Sequence, residues 1–483
     1  MHLPKQTDEG RALKPLCVDL DGTLTPADTL WEGCLKLIRA NPVYLVLMLF
    51  WLLSGKAKFK QRVSRNIQID AGVLPYTKGL LRYLQEQKAT GRELCLVTAA
   101  NRDIAEAVAD NLGLFDEVLA SDGKTNLSGR RKAASLVEKY GEQGFVYAAN
   151  EAVDLAVWKH AAAAILVNAP ANLKGRLEKR ELAIEAEFLR QGQGVAKSLF
   201  RVMRPHQWAK NSLLFVPILL AHAEPLSSWI NVLLAFIAFS LTASSIYIIN
   251  DLFDIEADRK HPKKCQRPFA AAVLPIPVGI AIIPFLLTIS AILAWQISAL
   301  FVLILLAYVI LTTAYSIKLK LHALVDVFTL AVLYSLRIIA GVVAANITVS
   351  HWLLAFSVFF FLNLAFAKRY SELHNLAEAG DLLAATRGYV VKDLPIISLF
   401  GVTSGYLSIM VMIMYIHDLQ ASLAYQEPLW LWGISMVLLY WVSRVWLYAY
   451  RGKMDEDPVL FALHDRMSYI SFSLIAVCFW LAL

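Results

Sequence analysis

Two stretches of this chain carry carboxylates at spacings suited to phosphate chemistry. The first is Asp19-Leu20-Asp21-Gly22-Thr23, at the end of the apolar run PLCVDL. One carboxylate there can attack phosphorus and the next can protonate the leaving oxygen, with Mg²⁺ screening carboxylate from phosphate. The second is SSIYIINDLFDIEADRKHPKKCQRPFAA, where Asn250, Asp251, Asp254 and Asp258 recur at helical spacing along one face. Acids at that spacing repel in a bare helix and become favourable when Mg²⁺ bridges them to a diphosphate. A solvated acidic helix end is the bland alternative. Ionisable residues at a membrane border favour the functional reading, and Arg259, Lys260 and Arg267 follow to neutralise phosphate oxygens.

The elements that must position these residues differ sharply between the two parts of the chain. Its 483 residues are 57% hydrophobic and 18% charged, with mean hydropathy +0.52. Soluble domains run nearer 45–50% apolar and about 25% charged, so an ordinary soluble enzyme, a disordered chain and a coiled coil are excluded. The apolar excess lies after residue 208. The expected organisation is a cytoplasmic α/β domain over 1–195 and an all-α polytopic membrane domain over 196–483. Spans of about 20 residues read at 210–223, 229–249, 273–294, 297–314, 323–345, 351–367, 394–416, 429–447 and 468–483, about nine helices with the first and last short. Alternate loops hold the Lys and Arg, among them Lys318, Lys320, Lys368, Arg369, Arg387, Arg444 and Arg451. The positive-inside rule places those loops and the N-terminal domain in the cytoplasm, and a bacterial inner membrane is the expected location. The N-terminus MHLPKQTDEGRALKP lacks the apolar core of a signal peptide. Five scattered cysteines form no metal or disulfide pattern. The net charge of +7 is explained by the membrane face and a polyphosphate pocket, without nucleic acid.

In the front domain the motif DLDGT resembles the haloacid dehalogenase superfamily, whose first motif is DxDGT. The resemblance covers about 15–170 and implies a Rossmannoid fold with a helical cap, here over about 25–92. It implies Asp19 as nucleophile and metal ligand and Asp21 as acid. Thr98 and Lys132 match the phosphate-binding positions, and Asn150 with Asp154 the metal motif. The family normally has Asp at the position of Asn150, so a neutral amide replaces a carboxylate. The domain is read as a phosphatase, with a degenerate scaffold as the alternative. Within the cap, 43–53 (VYLVLMLFWLL) is too short to span and reads as a buried or membrane-resting helix.

The pattern NDxxDxxxD is similar to the first motif of the UbiA superfamily of intramembrane transferases, over about 200–483. The resemblance implies nine transmembrane helices and Asn250, Asp251, Asp254 and Asp258 as metal-binding positions, with Asp254 and Asp258 central to catalysis. RPHQWAKN looks like that family too and implies Arg204, Lys210 and Asn211 beside the acidic helix. The second motif departs from DxxxD: Asp326 stands with Leu330 at the fourth position after it, and Arg337 lies deeper on the same helix, where helix pairing is its plain alternative. Together with LRIIAG and AKRYSEL (Lys368, Arg369, Glu372), the pattern is similar to the decaprenyl-phosphate phosphoribosyltransferase branch. That branch implies a phosphoribosyl diphosphate donor, a polyprenyl phosphate acceptor and Mg²⁺. Arg204, Lys210, Arg267, Tyr315, Lys318, Arg337, Lys368 and Arg369 become phosphate-binding candidates, and Asp251 and Asp326 metal or ribose-hydroxyl partners. A fused phosphatase would remove the 5-phosphate. The alternatives are prenyl transfer to an aromatic or quinone acceptor and a catalytically decayed membrane scaffold. A homo-oligomer is compatible with the sequence, and the oligomeric state is open.

Overall fold

The structure is a computed structural model describing residues 13–122, 125–189, 194–221, 224–378, 385–418, 425–454 and 458–483. Most of the N-terminal stretch weighed as a signal peptide lies outside these residues. The chain forms two compact units: Met1–Met203 with Tyr247–Pro284, and Arg204–Ile246 with Phe285–Leu483.

The first unit is built on a six-stranded sheet in the order β3-β2-β1-β4-β5-β6. Its strands are β1 (Leu16–Val18), β2 (Leu94–Asn101), β3 (Glu117–Ser121), β4 (Val146–Ala149), β5 (Ala163–Val167) and β6 (Ala183–Phe188), and all pair in parallel. Helices cover both faces of such a sheet, which is why β1, β2 and β4 read as unbroken apolar runs. Leu16 and Val18 enter the core on one face and Cys17 the core on the other. The strand order reverses beside β1, the position where open α/β sheets bind ligands at the carboxyl ends of their strands. Asp19 and Asn150 follow the ends of β1 and β4, and Thr98 lies within the C-terminal half of β2.

The segment after β1 holds three helices, α1 (Thr29–Ala40), α2 (Val43–Leu53) and α3 (Lys56–Arg65). Asp28 caps α1 by accepting from the Leu30 and Trp31 amides. The three helices share a small core of Cys34, Leu37, Met48, Phe59 and Val63. The next helix, α4 (Lys78–Ala89), buries Leu80 and Leu84 in the sheet's own core. The inserted helices are thus narrower than the 25–92 segment read from sequence.

Seven helices among the described residues are long and apolar enough to cross a membrane: Leu226–Phe253, Ile276–Ile297, Ala299–Ile317, Val325–Ala345, His351–Glu378, Val391–Ile416 and Pro428–Tyr450. The first and last expected spans are shorter elements. Pro205–Phe215 is a 3-10 segment leading into Val216–Ala221, and Arg466–Ala482 has 17 residues. In the second unit Gly341 lets the Val325–Ala345 helix approach that 3-10 segment closely, since a Cβ there would lie 2.2 Å from the Leu214 carbonyl oxygen.

Candidate active sites

The sheet of the first unit gathers the residues expected of a phosphate-handling site. Lys132, buried on α6 (Arg130–Tyr140), places Nζ 2.8 Å from Asp19 Oδ1 and 2.9 Å from the Tyr147 hydroxyl. That hydroxyl donates to Asp154 Oδ1 at 3.0 Å, and the Glu151 amide donates to Asp154 Oδ2 at 3.2 Å. Asp154 therefore orients Tyr147 and Lys132. Asn150 accepts from the Thr23 hydroxyl at 3.1 Å and crowds Gly22, where a Cβ would meet Asn150 Nδ2 at 2.2 Å. Gly22 also has φ +75°, so the turn after the two aspartates requires glycine. Thr98 is buried, its Oγ1 accepting from the Ala100 amide at 3.0 Å.

Burial, then the nearby Asp28 and Asp19, pushes the Asp21 carboxyl up to about 7. Burial and the Asp19 charge push Asp154 up to about 6. Burial lowers Lys60, which reaches in from α3 to donate to the Ala99 carbonyl at 2.8 Å. Tyr147 and Lys60 were not singled out in the sequence reading. A tyrosine inside a buried strand was the only available signal for the first, and nothing local marked the second.

The acidic motif is bent where a continuous helical face was expected. The Leu226–Phe253 helix ends at Phe253, and Asp254 becomes the N-cap position of a short helix, Ile255–Lys260. Arg267 Nη1 lies 3.1 Å from Asp251 Oδ1 and 2.7 Å from Asp258 Oδ2, so one cation bridges two buried acids. Asp254 turns elsewhere and pairs with Arg39 at 3.0 Å. Helix α1 supplies further partners: Lys36 to Glu256 at 2.6 Å, and Glu32 in a bidentate pair with Arg259. Sequence spacing shows Glu32, Lys36 and Arg39 on one helical face but gives no hint of their partners.

The second unit holds two more polar groups. Asp326, in the first turn of the Val325–Ala345 helix, is fully buried and lies 2.8 Å from the equally buried Arg369. The Tyr389 hydroxyl donates to Asp326 Oδ1 at 2.6 Å, Arg369 also pairs with Glu372, and Arg387 donates to the Tyr315 hydroxyl at 2.9 Å. The 2.8 Å contact joins Arg369 Nη2 to Asp326 Oδ2, and among the described residues Arg369 Nε has no hydrogen-bond partner. Arg337 is apart from this group. It donates to Asn211 Oδ1 at 2.9 Å, to the Leu333 carbonyl and to the Tyr308 hydroxyl, and stacks against Phe239, Tyr308 and Tyr334. Asn211 in turn donates to Ser240 at 3.0 Å. All three guanidinium nitrogens are engaged by protein, which favours the helix-pairing role. Arg204 and Lys210 flank His206, whose pKa falls through burial and these two charges. Lys318 is exposed at the C-cap of the Ala299–Ile317 helix, and Lys368 precedes Arg369 in the sequence.

The description of the UbiA prenyltransferase family matches residues 212–472, more than half of the chain, taking in both the acidic motif and the Asp326–Arg369 pair. The chain belongs to the UbiA prenyltransferase family. A haloacid dehalogenase-like hydrolase description matches residues 16–158. This UbiA-family chain is 34% identical to the Sinorhizobium fredii protein y4nM over 97% of its own length and 91% of that protein. It is 36% identical to the nodulation protein NoeC of Azorhizobium caulinodans, over 55% of this chain and 87% of NoeC. It is 38% identical to decaprenyl-phosphate phosphoribosyltransferase of Mycobacterium tuberculosis, over 38% of this chain and 61% of that enzyme. The protein is an integral membrane enzyme of the UbiA family carrying an N-terminal hydrolase-like domain.

Among the described residues no three acidic, histidine or cysteine side chains converge on one point. Mg²⁺ keeps several waters and requires only one or two carboxylates. Asp19 with the Asn150 amide oxygen could supply such a set, as could Asp251 with Asp258 around the position that Arg267 Nη1 holds. The residues present fit the ion.

Proposed function

We propose that the membrane domain, residues 196–483, transfers a 5-phosphoribosyl group from phosphoribosyl diphosphate to a polyprenyl phosphate. The domain over 1–195 then hydrolyses the 5-phosphate of the lipid product on the cytoplasmic side of a bacterial inner membrane. The observation that carries this reading is the buried Asp326–Arg369 pair. Where the family's second motif commonly has two carboxylates, this chain sets one carboxylate against a buried guanidinium whose Nε has no hydrogen-bond partner among the described residues. A donor with an additional 5-phosphate and an acceptor that is itself a phosphate both call for such cations. The 38% identity to a decaprenyl-phosphate phosphoribosyltransferase supports the same substrates.

In the transfer, the C1–O bond to diphosphate breaks and an oxygen of the lipid phosphate bonds to C1. Asp251 and Asp258, with Asp254 at the bend between them, would hold Mg²⁺, which would supply charge neutralisation for a departing diphosphate. Arg267, released from its acids, takes a phosphate oxygen; in the second unit, Arg369 and Asp326 offer a cation and an acceptor suited to a phosphate and to hydroxyls. In the hydrolysis, Asp19 attacks phosphorus while Lys132 holds its Oδ1. Asp21, protonated near neutrality, gives its proton to the ribose 5-oxygen, then takes one from the water that releases phosphate. Thr98 and Lys132 bind the phosphate oxygens.

The test is to supply full-length protein in nanodiscs with polyprenyl phosphate and either labelled phosphoribosyl diphosphate or labelled geranylgeranyl diphosphate. Label entering lipid from the first supports the reading, and label from the prenyl donor alone overturns it. Mass analysis of the lipid product for one phosphate or two reads the hydrolase step, which fails if Asp19→Asn leaves the product unchanged.

A further inference from the structure

Helix α2 is out of place on a water-facing domain. Its eleven residues, VYLVLMLFWLL, contain no charge. Tyr44, Met48 and Trp51, at helical spacing, turn inward to the small core shared with α1 and α3. The remaining eight side chains are exposed, among them Leu49 at 63%, Phe50 at 63% and Leu53 at 85%. A continuous apolar surface of this kind marks an interaction site.

The neighbouring structure identifies what covers it. The α1 helix runs directly into α2, and Arg39 near its end donates to the carbonyl of Phe253, the last residue of the membrane-crossing Leu226–Phe253 helix. Val43, the first residue of α2, follows Arg39 by four positions, so α2 begins close to the end of a helix long and apolar enough to cross a membrane. The return helix α3 (KAKFKQRVSR) bears five cations and no acid, with Lys56, Lys58, Arg62 and Arg65 exposed. An apolar helix backed by exposed lysine and arginine matches acyl chains beneath anionic headgroups. A soluble protein partner would not need the membrane-edge position.

We propose that α2 is seated in the bilayer interface and fixes the hydrolase site to the membrane surface, so that it acts on phosphate monoesters carried by lipid. The second clause rests on the hydrolase reading above. Lys60 on α3 bonds beside the strand that ends the site. The lipid seat and the hydrolase site are therefore joined by a single helical hairpin.

The experiment uses full-length protein in nanodiscs of phosphatidylethanolamine and phosphatidylglycerol, with the partly exposed Cys265 and Cys478 changed to Ser. A nitroxide is placed by Phe50→Cys, or by Asp110→Cys on the exposed surface of α5 (Arg102–Leu112) as the aqueous reference. The Phe50 label is expected to relax with oxygen and be shielded from a water-soluble nickel chelate, whereas the Asp110 label shows the reverse. Equal chelate accessibility at both positions overturns the seat, whatever the chemistry. Separately, the triple variant Leu49→Gln/Phe50→Gln/Leu53→Gln leaves the inward face intact. It is expected to lose at least tenfold in hydrolysis of ribose 5-phosphate carried on lipid while hydrolysing free ribose 5-phosphate within twofold of the parent. Equal losses on both substrates overturn the lipid-substrate role. A parent protein inactive on both overturns the hydrolase reading and leaves the seat judged by the nitroxide alone.

Discussion

Removing the charge of Arg369 should damage the second unit more than removing the charge of Asp326, because their partners are unequal. Both side chains are fully buried and 2.8 Å apart. Asp326 has one cation at this distance plus the Tyr389 hydroxyl, whereas Arg369 keeps Glu372 when Asp326 is lost. Arg369→Met, close in volume, leaves a buried carboxylate without its counter-charge, which costs about 3–5 kcal/mol. Asp326→Asn keeps an acceptor for Tyr389 and should cost about 1–3 kcal/mol, as for a weakened buried hydrogen-bonding group. The double variant removes both charges and should recover part of the loss, with a coupling energy of roughly 1–3 kcal/mol. At about 2–4 °C per kcal/mol for a unit of this size, Arg369→Met lowers the melting temperature by roughly 6–20 °C. The assay is thermal unfolding in nanodiscs, read as the surviving monodisperse fraction for wild type, both singles and the double. If Arg369→Met is no worse than Asp326→Asn, or if the singles add, the pair is not the charge-compensated unit described here. Donor transfer measured on the stabilised double variant should still be lost, which separates a substrate role from a packing role.

Asn150→Asp adds a carboxylate beside Asp19 and should tighten Mg²⁺ binding by roughly tenfold through the added ligand charge, measured by titration calorimetry; unchanged affinity would remove Asn150 from the metal site. Asp21, raised to about 7 against an ordinary value near 4, holds more protons folded than unfolded between those limits. In EDTA, stability should therefore fall as pH rises from about 4 to about 7, and Asp21→Asn should flatten that slope in a melting series. With the same group as proton donor, hydrolysis should decline above about pH 7 in a pH–rate profile. Glu32→Ala strips the bidentate partner from the nearly buried Arg259, leaving its bond to the Ala270 carbonyl. The expected cost is about 3–5 kcal/mol, seen as faster amide exchange over 253–270. Lys36→Ala, half-exposed on the same helix, should cost under about 1 kcal/mol.

Local pattern carried the reading furthest where one element holds the whole signal. The strands ending at Asp19 and Asn150 are buried on both faces, so their apolar runs and terminal polar residues stand out without knowledge of their neighbours. The long membrane helices are legible for the same reason, because the bilayer imposes a length on each separately. The two end spans differ: Pro205–Phe215 winds as a 3-10 segment against a helix that Gly341 allows to come close, and that fit depends on residues more than a hundred positions away. Sequence favoured Arg337 as a phosphate ligand over a pairing residue, and its partners Asn211, Phe239 and Tyr308 lie on other elements that its own helix does not reveal.

The acidic motif shows most clearly why spacing alone stops short. Residues 251, 254 and 258 lie within one helical stripe by number, yet the chain bends at Asp254, leaving Asp251 and Asp258 on Arg267 while Asp254 meets Arg39. Like charges on one straight helix would have to be held apart by solvent or joined by a cation. The bend instead lets Asp251 and Asp258 share Arg267 and sends Asp254 to Arg39 on α1. Helix α1 shows the converse. Glu32, Lys36 and Arg39 form an ordinary mixed-charge helical face with nothing local to mark its partners, which lie more than two hundred residues away at Arg259, Glu256 and Asp254. At its first turn the same helix donates the Thr29 amide to Asp21 at 2.9 Å. One helix thus meets Asp21, the proposed hydrolase acid, at one end and the acidic motif at the other. Loss of the Arg259 anchor by Glu32→Ala should therefore be felt at both: a rise in Asp254 exposure by amide exchange, together with a shifted pH–rate limb for Asp21. A change confined to residues 253–270 would show that α1 is a passive support.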